Sequence, residues 1–262
     1  MEKLKIAITQ IGTDDIDNNF VRQVCCDPAM LELCTPVELD EETAYRKLDE
    51  GKVDAMVLAT EAKCPSDAFE IIVTDKTNIA VLDKEPTAED IIKLRNILER
   101  DFGLQIPRIA IVQESVMQNP DLATQVTTEQ GINTYGPYTI EQITAEDTAW
   151  HFDGIITTDK ILAQRIVTDL LAKAPVRYFA GREAVVTAIY QPVQTSEDEG
   201  VADVSWLTHP FFTAIDIIRN RAFYDEARQD VLPKLFRDKR EDRKKDDLSQ
   251  TNTNNDNSEK AS

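Results

Sequence analysis

Chemistry near neutral pH needs groups that move protons, bind metals or attack electrophiles, and this 262-residue chain is short of the most versatile one. Histidine occurs twice, as His151 and His209, so a three-imidazole metal site cannot be assembled within one subunit. His151 stands between Trp150 and Phe152 at the start of an apolar run, where a partly buried ring satisfied by a backbone partner is expected. His209 precedes Pro210, a loop or the start of a helix. The cysteines Cys25, Cys26, Cys34 and Cys64 lack paired C-x-x-C spacing, and a vicinal pair is an awkward disulfide partner, so they read as reduced and structural. There is no G-x-G-x-x-G, P-loop, G-x-S-x-G or H-E-x-x-H. The 48 carboxylates are abundant rather than convergent, and the sequence offers no metal ligand set. Lys63 is better placed, just past the carboxyl end of the Val53 to Ala59 run, the edge beyond which ligands bind in open α/β sheets. The plainer alternative is an ordinary surface lysine.

The elements that would position these residues alternate. Lys5 to Thr9 reads as a buried strand, followed by a polar stretch from Gly12 to Asn19. Ala29 to Leu33 is helical until Pro36 interrupts it. Glu41 to Glu50 is a helix with Ala44 and Leu48 on one face and Gly51 as its stop, and Val53 to Ala59 is a strand. Ile71 to Val73 and Ile79 to Leu82 are strands around a turn from Thr74 to Asn78. The clearest helix opens at Pro86-Thr87, with Thr87 and Asp90 in capping-box register, an inner stripe of Ile91, Leu94, Leu98 and Phe102, and Gly103 at its end.

Pro107 to Val112 is the next strand. Residues 113 to 150 are weakly patterned, with a turn expected at Tyr135-Gly136-Pro137-Tyr138. Phe152 to Thr158 is a strand, Ile161 to Lys173 a helix, Glu183 to Gln191 a strand and Phe211 to Arg228 a long helix. Strands separated by helices imply parallel pairing through crossovers, hence an α/β architecture with a covered, mostly parallel sheet.

Apolar residues at 42% and charged residues at 29% fit a globular body. A formal charge of −19 disfavours nucleic acid and anionic lipid as partners. No run approaches the ~20 apolar residues that span a bilayer, and the amino end lacks a signal-peptide core, so a cytoplasmic location is expected. Residues 1–236 read as one α/β body of two interleaved subdomains. Residues 237–262 are a charged polar tail with acids and bases interleaved, expected to be disordered from about residue 246.

A colinear series of segments carries a family resemblance. It begins with Lys5-Ile6-Ala7-Ile8-Thr9-Gln10 and Asp27-Pro28-Ala29-Met30-Leu31-Glu32-Leu33-Cys34-Thr35-Pro36. It continues through Gly51-Lys52-Val53-Asp54-Ala55 with Lys63, Asp101-Phe102-Gly103 with Pro107-Arg108-Ile109-Ala110, and Gly131-Ile132-Asn133 with Gly136-Pro137-Tyr138. It closes with His151-Phe152-Asp153-Gly154, Thr195-Ser196 with Asp198 and Gly200, and Thr213 to Arg228. In this order the segments resemble 4-hydroxythreonine-4-phosphate dehydrogenases of the vitamin B6 pathway, over most of residues 3 to 240.

The resemblance implies the two-domain fold of isocitrate and isopropylmalate dehydrogenases, here shortened, and a homodimer with its site at the interface. It further implies oxidation of a phosphorylated hydroxy amino acid with NAD, assisted by a divalent metal held by three histidines. It assigns Thr195, Ser196, Asp198 and Gly200 to cofactor binding and leaves Lys63 as the one matched residue of the catalytic region.

The departures concentrate where that chemistry resides. Ile11, Asp15 and Asp17 replace glycines of an amino-terminal turn, and the Gly-His-Thr-Glu segment after Lys63 is missing. Gln113-Glu114-Ser115 stands for Asn-Pro-His, and Thr157-Thr158-Asp159-Lys160 for Tyr-His-Asp-Gln-Gly. Gln194 replaces an arginine and Glu199 the last histidine. Three readings follow: a degenerate dehydrogenase that keeps the scaffold, an enzyme of altered chemistry pairing Lys63 with Asp159 or Asp198, and a non-catalytic binding or regulatory module.

Overall fold

The computed structural model describes residues 3–9, 21–60, 62–114, 119–145, 148–173, 175–190 and 206–228. Ten strands form one sheet: β1 (Leu4–Thr9), β2 (Cys34–Leu39), β3 (Ala55–Leu58), β4 (Phe69–Val73), β5 (Asn78–Val81), β6 (Ile109–Val112), β7 (Thr134–Tyr138), β8 (Gly154–Thr157), β9 (Val176–Ala180) and β10 (Val185–Ile189). Their spatial order is β2-β1-β3-β10-β9-β4-β5-β8-β6-β7. The four strands at each end are mutually parallel, whereas β10-β9, β9-β4 and β4-β5 pair antiparallel. The sheet is therefore mostly parallel, but its two parallel blocks run in opposite directions. Their carboxyl ends lie on opposite edges, so the connection from β3 to β4 must cross the sheet.

The helices follow local chemistry. Residues 21–25 (α1) lead to α2 (Pro28–Leu33), where Asp27 accepts from the amides of Ala29 and Met30. Asp40 caps α3 (Glu41–Asp49), which buries Ala44 and Leu48. Helix α4 (Ala88–Phe102) has the full Thr87/Asp90 capping box and ends at Gly103, whose φ of 70° suits a residue without a Cβ. Then come α5 (Leu122–Gln130), α6 (Ile140–Thr144), a 3-10 turn (Thr148–His151), α7 (Lys160–Asp169) and α8 (206–220).

One face of the sheet carries a continuous apolar cluster with α4 and α8, including Ile71, Leu94, Ile156, Tyr178 and Phe211. The opposite face carries two clusters. One joins α3 to β3 and β10 through Leu48, Met56 and Val186. The other joins α6 and α7 to β5, β6 and β8 through Ile143, Ile166 and Ile155. The chain divides into two units between Asn220 and Arg221. In the second, residues 221–228 are helical and Arg228 donates to the Tyr224 hydroxyl at 2.6 Å. Among the described residues no helix is long and apolar enough to cross a membrane.

Several expectations need correction. The helix expected over Ala29 to Leu33 is present as α2, but it ends at Cys34 rather than at Pro36, which lies within β2 at the sheet edge, where proline is tolerated. Tyr135 to Tyr138 is not a turn but part of the other edge strand, β7, with a register shift between Ala110 and Val112 of its neighbour. A Cβ on Gly136 would lie 2.7 Å from the Ile111 carbonyl oxygen, so the close approach of the two strands requires glycine there. The weakly patterned stretch contains α5, β7 and α6, and β9, unanticipated, lies in the middle of the sheet. His151 belongs to the 3-10 turn preceding β8, and its ring is exposed rather than partly buried. The residues of the expected disordered tail lie outside those described.

Candidate functional site

The crossing connection, residues 59–68, passes over the face where the two smaller clusters part. Ala62, Cys64 and Ala68 pack against the α3 cluster. Beneath it β4 and β9 each carry one buried charge, Glu70 and Arg177, with both side chains 7% exposed. The Arg177 Nε donates to Glu70 Oε1 at 2.6 Å, and its Nη1 donates to the Ala62 carbonyl at 2.7 Å. A planar guanidinium can bind a carboxylate and a carbonyl at once, so this one side chain neutralises Glu70 and fixes the backbone next to Lys63. The Lys160 ammonium, at the start of α7, lies 3.5 Å from the other Glu70 oxygen.

Around this frame opens a cleft of about 780 Å³. Lys63, Cys64 and Pro65 of the crossing segment line it, with Phe69 and Glu70 of β4. Val81 and Leu82 at the end of β5, Thr158 to Lys160 after β8, and Asp90 and Lys93 of α4 complete the wall. The carboxyl ends of β5 and β8 meet here, the edge at which parallel blocks present ligand-binding loops.

Lys63 and Asp159 are thus brought to one cleft, while His151 and His209 do not line it. His209 lies in the first turn of α8. Thr195, Ser196, Asp198 and Gly200, and the altered turn around Ile11, Asp15 and Asp17, lie outside the described residues. Glu70, Lys93, Lys160 and Arg177 were not anticipated; the signal was a lone charge inside each of two apolar runs, Phe69 to Val73 and Val176 to Ala180.

Four carboxylates line the cleft, and three of them, Glu70, Asp90 and Asp159, are already engaged, while Asp83 has no ion pair among the described residues. Asp90 feels burial, which pushes its pKa up, but the Thr87 hydroxyl and amide and Lys84 outweigh that and hold it below the ordinary value. Its Oδ2 accepts from the Thr87 amide at 3.0 Å and pairs with the Lys84 ammonium at 3.1 Å. Asp159 caps α7 by accepting from the Leu162 amide at 2.8 Å. Glu114, where the family places a histidine-bearing segment, pairs with Arg165. Burial, with a push from Glu70, raises the Cys64 thiol to about 11 against the pull of Arg177 and Lys160, so it is protonated at neutral pH. Among the described residues no group of three or more His, Cys, Asp or Glu could hold a metal ion. A divalent cation does not fit this donor set, because Asp83 alone is uncommitted and every other carboxylate of the cleft would have to abandon an arginine, a lysine or a helix cap.

Comparison with known proteins fits this architecture. No protein-family model matches the chain. It is similar to a curated 4-hydroxythreonine-4-phosphate dehydrogenase of Bacteroides thetaiotaomicron, 27% identical over 172 residues, which cover 61% of this chain and 47% of that protein. The chain therefore spans about half the length of the curated relative it matches. Among solved structures, the Klebsiella pneumoniae enzyme of that name aligns with a TM-score of 0.58 at 14% identity, covering 83% of this chain and 99% of its own. The Burkholderia phymatum enzyme aligns with a TM-score of 0.56 at 13% identity, with the same coverage. The fold is that of these dehydrogenases, the isocitrate dehydrogenase-like arrangement. In sequence along part of its length and in architecture along most of it, the chain is similar to 4-hydroxythreonine-4-phosphate dehydrogenases.

Proposed function

We propose that this protein is a divergent, catalytically degenerate relative of the 4-hydroxythreonine-4-phosphate dehydrogenases, which keeps the scaffold and a ligand cleft but not metal-dependent oxidation. One observation carries the reading: the positions matched to the family's histidine segments now hold side chains committed elsewhere. Glu114 is paired with Arg165, Asp159 caps α7 and Lys160 faces Glu70. A site that must grip a cation needs uncommitted donors converging on one point, and these residues instead stabilise the protein around them. The same reading takes the protein to be a homodimer.

The test is an absorbance assay with purified protein, a divalent metal, NAD and 4-phosphooxy-threonine. No NADH above background is expected, and NADH formation dependent on the protein overturns the proposal. A second reading, altered chemistry through Lys63 and Asp159, is favoured by their sharing one cleft. Loss of the phosphorylated amino acid in that assay without NADH, abolished by Lys63→Ala, would replace the first reading with the second.

A further inference from the structure

We infer that the cleft seats a small organic anion directly on its own ammonium groups, Lys63, Lys93 and Lys160, with no divalent cation between ligand and protein. This rests on the reading above, that metal-dependent oxidation is gone, and adds what replaced the metal's charge.

The argument is one of local charge. The chain as a whole carries −19, yet lysines 63, 84, 93 and 160 line this one cleft. Four carboxylates line it as well, of which Asp83 is uncommitted and the other three are spent, with the Arg177 guanidinium behind Glu70 as a fifth cation. Glu70 is flanked by Arg177 at 2.6 Å and Lys160 at 3.5 Å, a carboxylate between two cations. Asp90 balances Lys84 at 3.1 Å, and Asp159 serves the first turn of α7. Among the described residues no carboxylate pairs with Lys63 or Lys93. The Lys93 ammonium instead lies 5.1 Å from the centre of the Phe69 ring. Lys160, with its side chain 68% exposed, holds Glu70 only loosely and can turn to a ligand while Arg177 keeps Glu70 neutralised.

Pro65, Phe69, Val81 and Leu82 add apolar wall to the cleft, which lowers the local dielectric and strengthens attraction across it. The buried Arg177–Glu70 pair makes this a held arrangement rather than a scatter of surface lysines, because Arg177 also anchors the Ala62 carbonyl, one residue before Lys63. A cavity of about 780 Å³ suits a small organic acid, and ammonium groups receive a phosphoryl or a carboxylate oxyanion by the same chemistry.

The experiment is calorimetric titration of the full chain with inorganic phosphate and, separately, with malonate, each in EDTA and in magnesium. Saturable binding with the same affinity in both conditions is expected, and the tighter of the two probes assigns the oxyanion. Lys63→Met, Lys93→Met and Lys160→Met should each weaken it roughly tenfold, the effect of removing one charge-assisted hydrogen bond. Lys52→Met, remote and paired with Glu50, should change nothing. These surface replacements spare the core, and circular dichroism verifies their fold. Binding that appears only with magnesium, survives the triple replacement, or is absent for both anions overturns the inference. Failure here leaves the NADH result untouched, and NADH formation would defeat the proposed function whatever the titration shows.

Discussion

Arg177 and Tyr178 are neighbours on β9, and because side chains alternate across a strand they serve opposite faces of the same sheet. Arg177 meets Glu70 and the crossing segment beside the cleft. Tyr178 donates to Asp101 Oδ2 at 2.6 Å and packs edge-on against Phe102, tying β9 to the end of α4, where Asn220 of α8 also donates to the Asp101 carbonyl. Both are buried polar anchors, yet one frames a cavity and the other closes a core. The difference teaches that the pleat of the central strand keeps the buried ion pair apart from the Tyr178 contacts, while the cleft itself opens at the sheet edge and is lined from one face by Lys160 and from the other by Phe69 and Lys93.

The largest effect should come from Arg177→Met. Removing one partner of a pair in which both side chains are 7% exposed leaves Glu70 as an uncompensated buried charge, with Lys160 its remaining cation. A loss of about 3 to 5 kcal/mol in urea unfolding is expected. Adding Glu70→Leu should recover most of that loss, since an apolar pair of similar volume avoids the desolvation cost. The double variant should nonetheless bind phosphate poorly, because Ala62 is no longer anchored and the backbone at Lys63 is no longer fixed. A double variant of normal affinity would erase the claimed division between frame and core.

Tyr178→Phe should cost less, about 1 to 2 kcal/mol, the penalty for leaving the buried Asp101 oxygen without its 2.6 Å donor. It should leave anion affinity unchanged, as Tyr178 does not line the cleft and meets the end of α4 remote from Asp90 and Lys93. A several-fold weakening by Tyr178→Phe in the titration would show that the two faces are coupled through β9.

The same contrast separates what was legible in the sequence from what was not. Helix α4 was readable to its caps, because Thr87, Asp90 and Gly103 act through neighbours three or four positions away. Strand β9 was not. All five of its residues are buried, so no alternation marks it, and Arg177 breaks the apolar run for a reason that exists only when β4 lies alongside. Likewise Tyr135 to Tyr138 has turn chemistry, and only its edge position makes it a strand. At the site, Lys63 was singled out from its place after the carboxyl end of β3, but the cleft lies at the opposite edge, beyond β5 and β8, and the crossing segment carries Lys63 there. Its companions could not, because Glu70, Lys93 and Lys160 come from three separate elements and meet through a strand order that does not follow the chain.

The smallest expected effect is also the most face-specific, and it reads the ionisation of Cys64. This thiol stands at about 11, raised first by burial and then by Glu70, and pulled down by Arg177 and Lys160. Site-resolved alkylation, followed by mass spectrometry, should accelerate through pH 11 rather than through the ordinary thiol range near ~8.5. In the unfolded chain the proton leaves first, so between that range and pH 11 the folded state holds more protons and Cys64 makes stability fall as pH rises. Tyr178→Phe should leave the alkylation profile in place. Arg177→Met should move it upward, since a nearby cation has gone. Arg177→Met with Glu70→Leu should move it downward, because the push from Glu70 exceeds the pull from Arg177. Opposite displacements of one thiol by the single and double replacements can arise only if Arg177 and Glu70 act on the cleft as an electrostatic pair, and a profile indifferent to both would reduce them to a packing element like Tyr178.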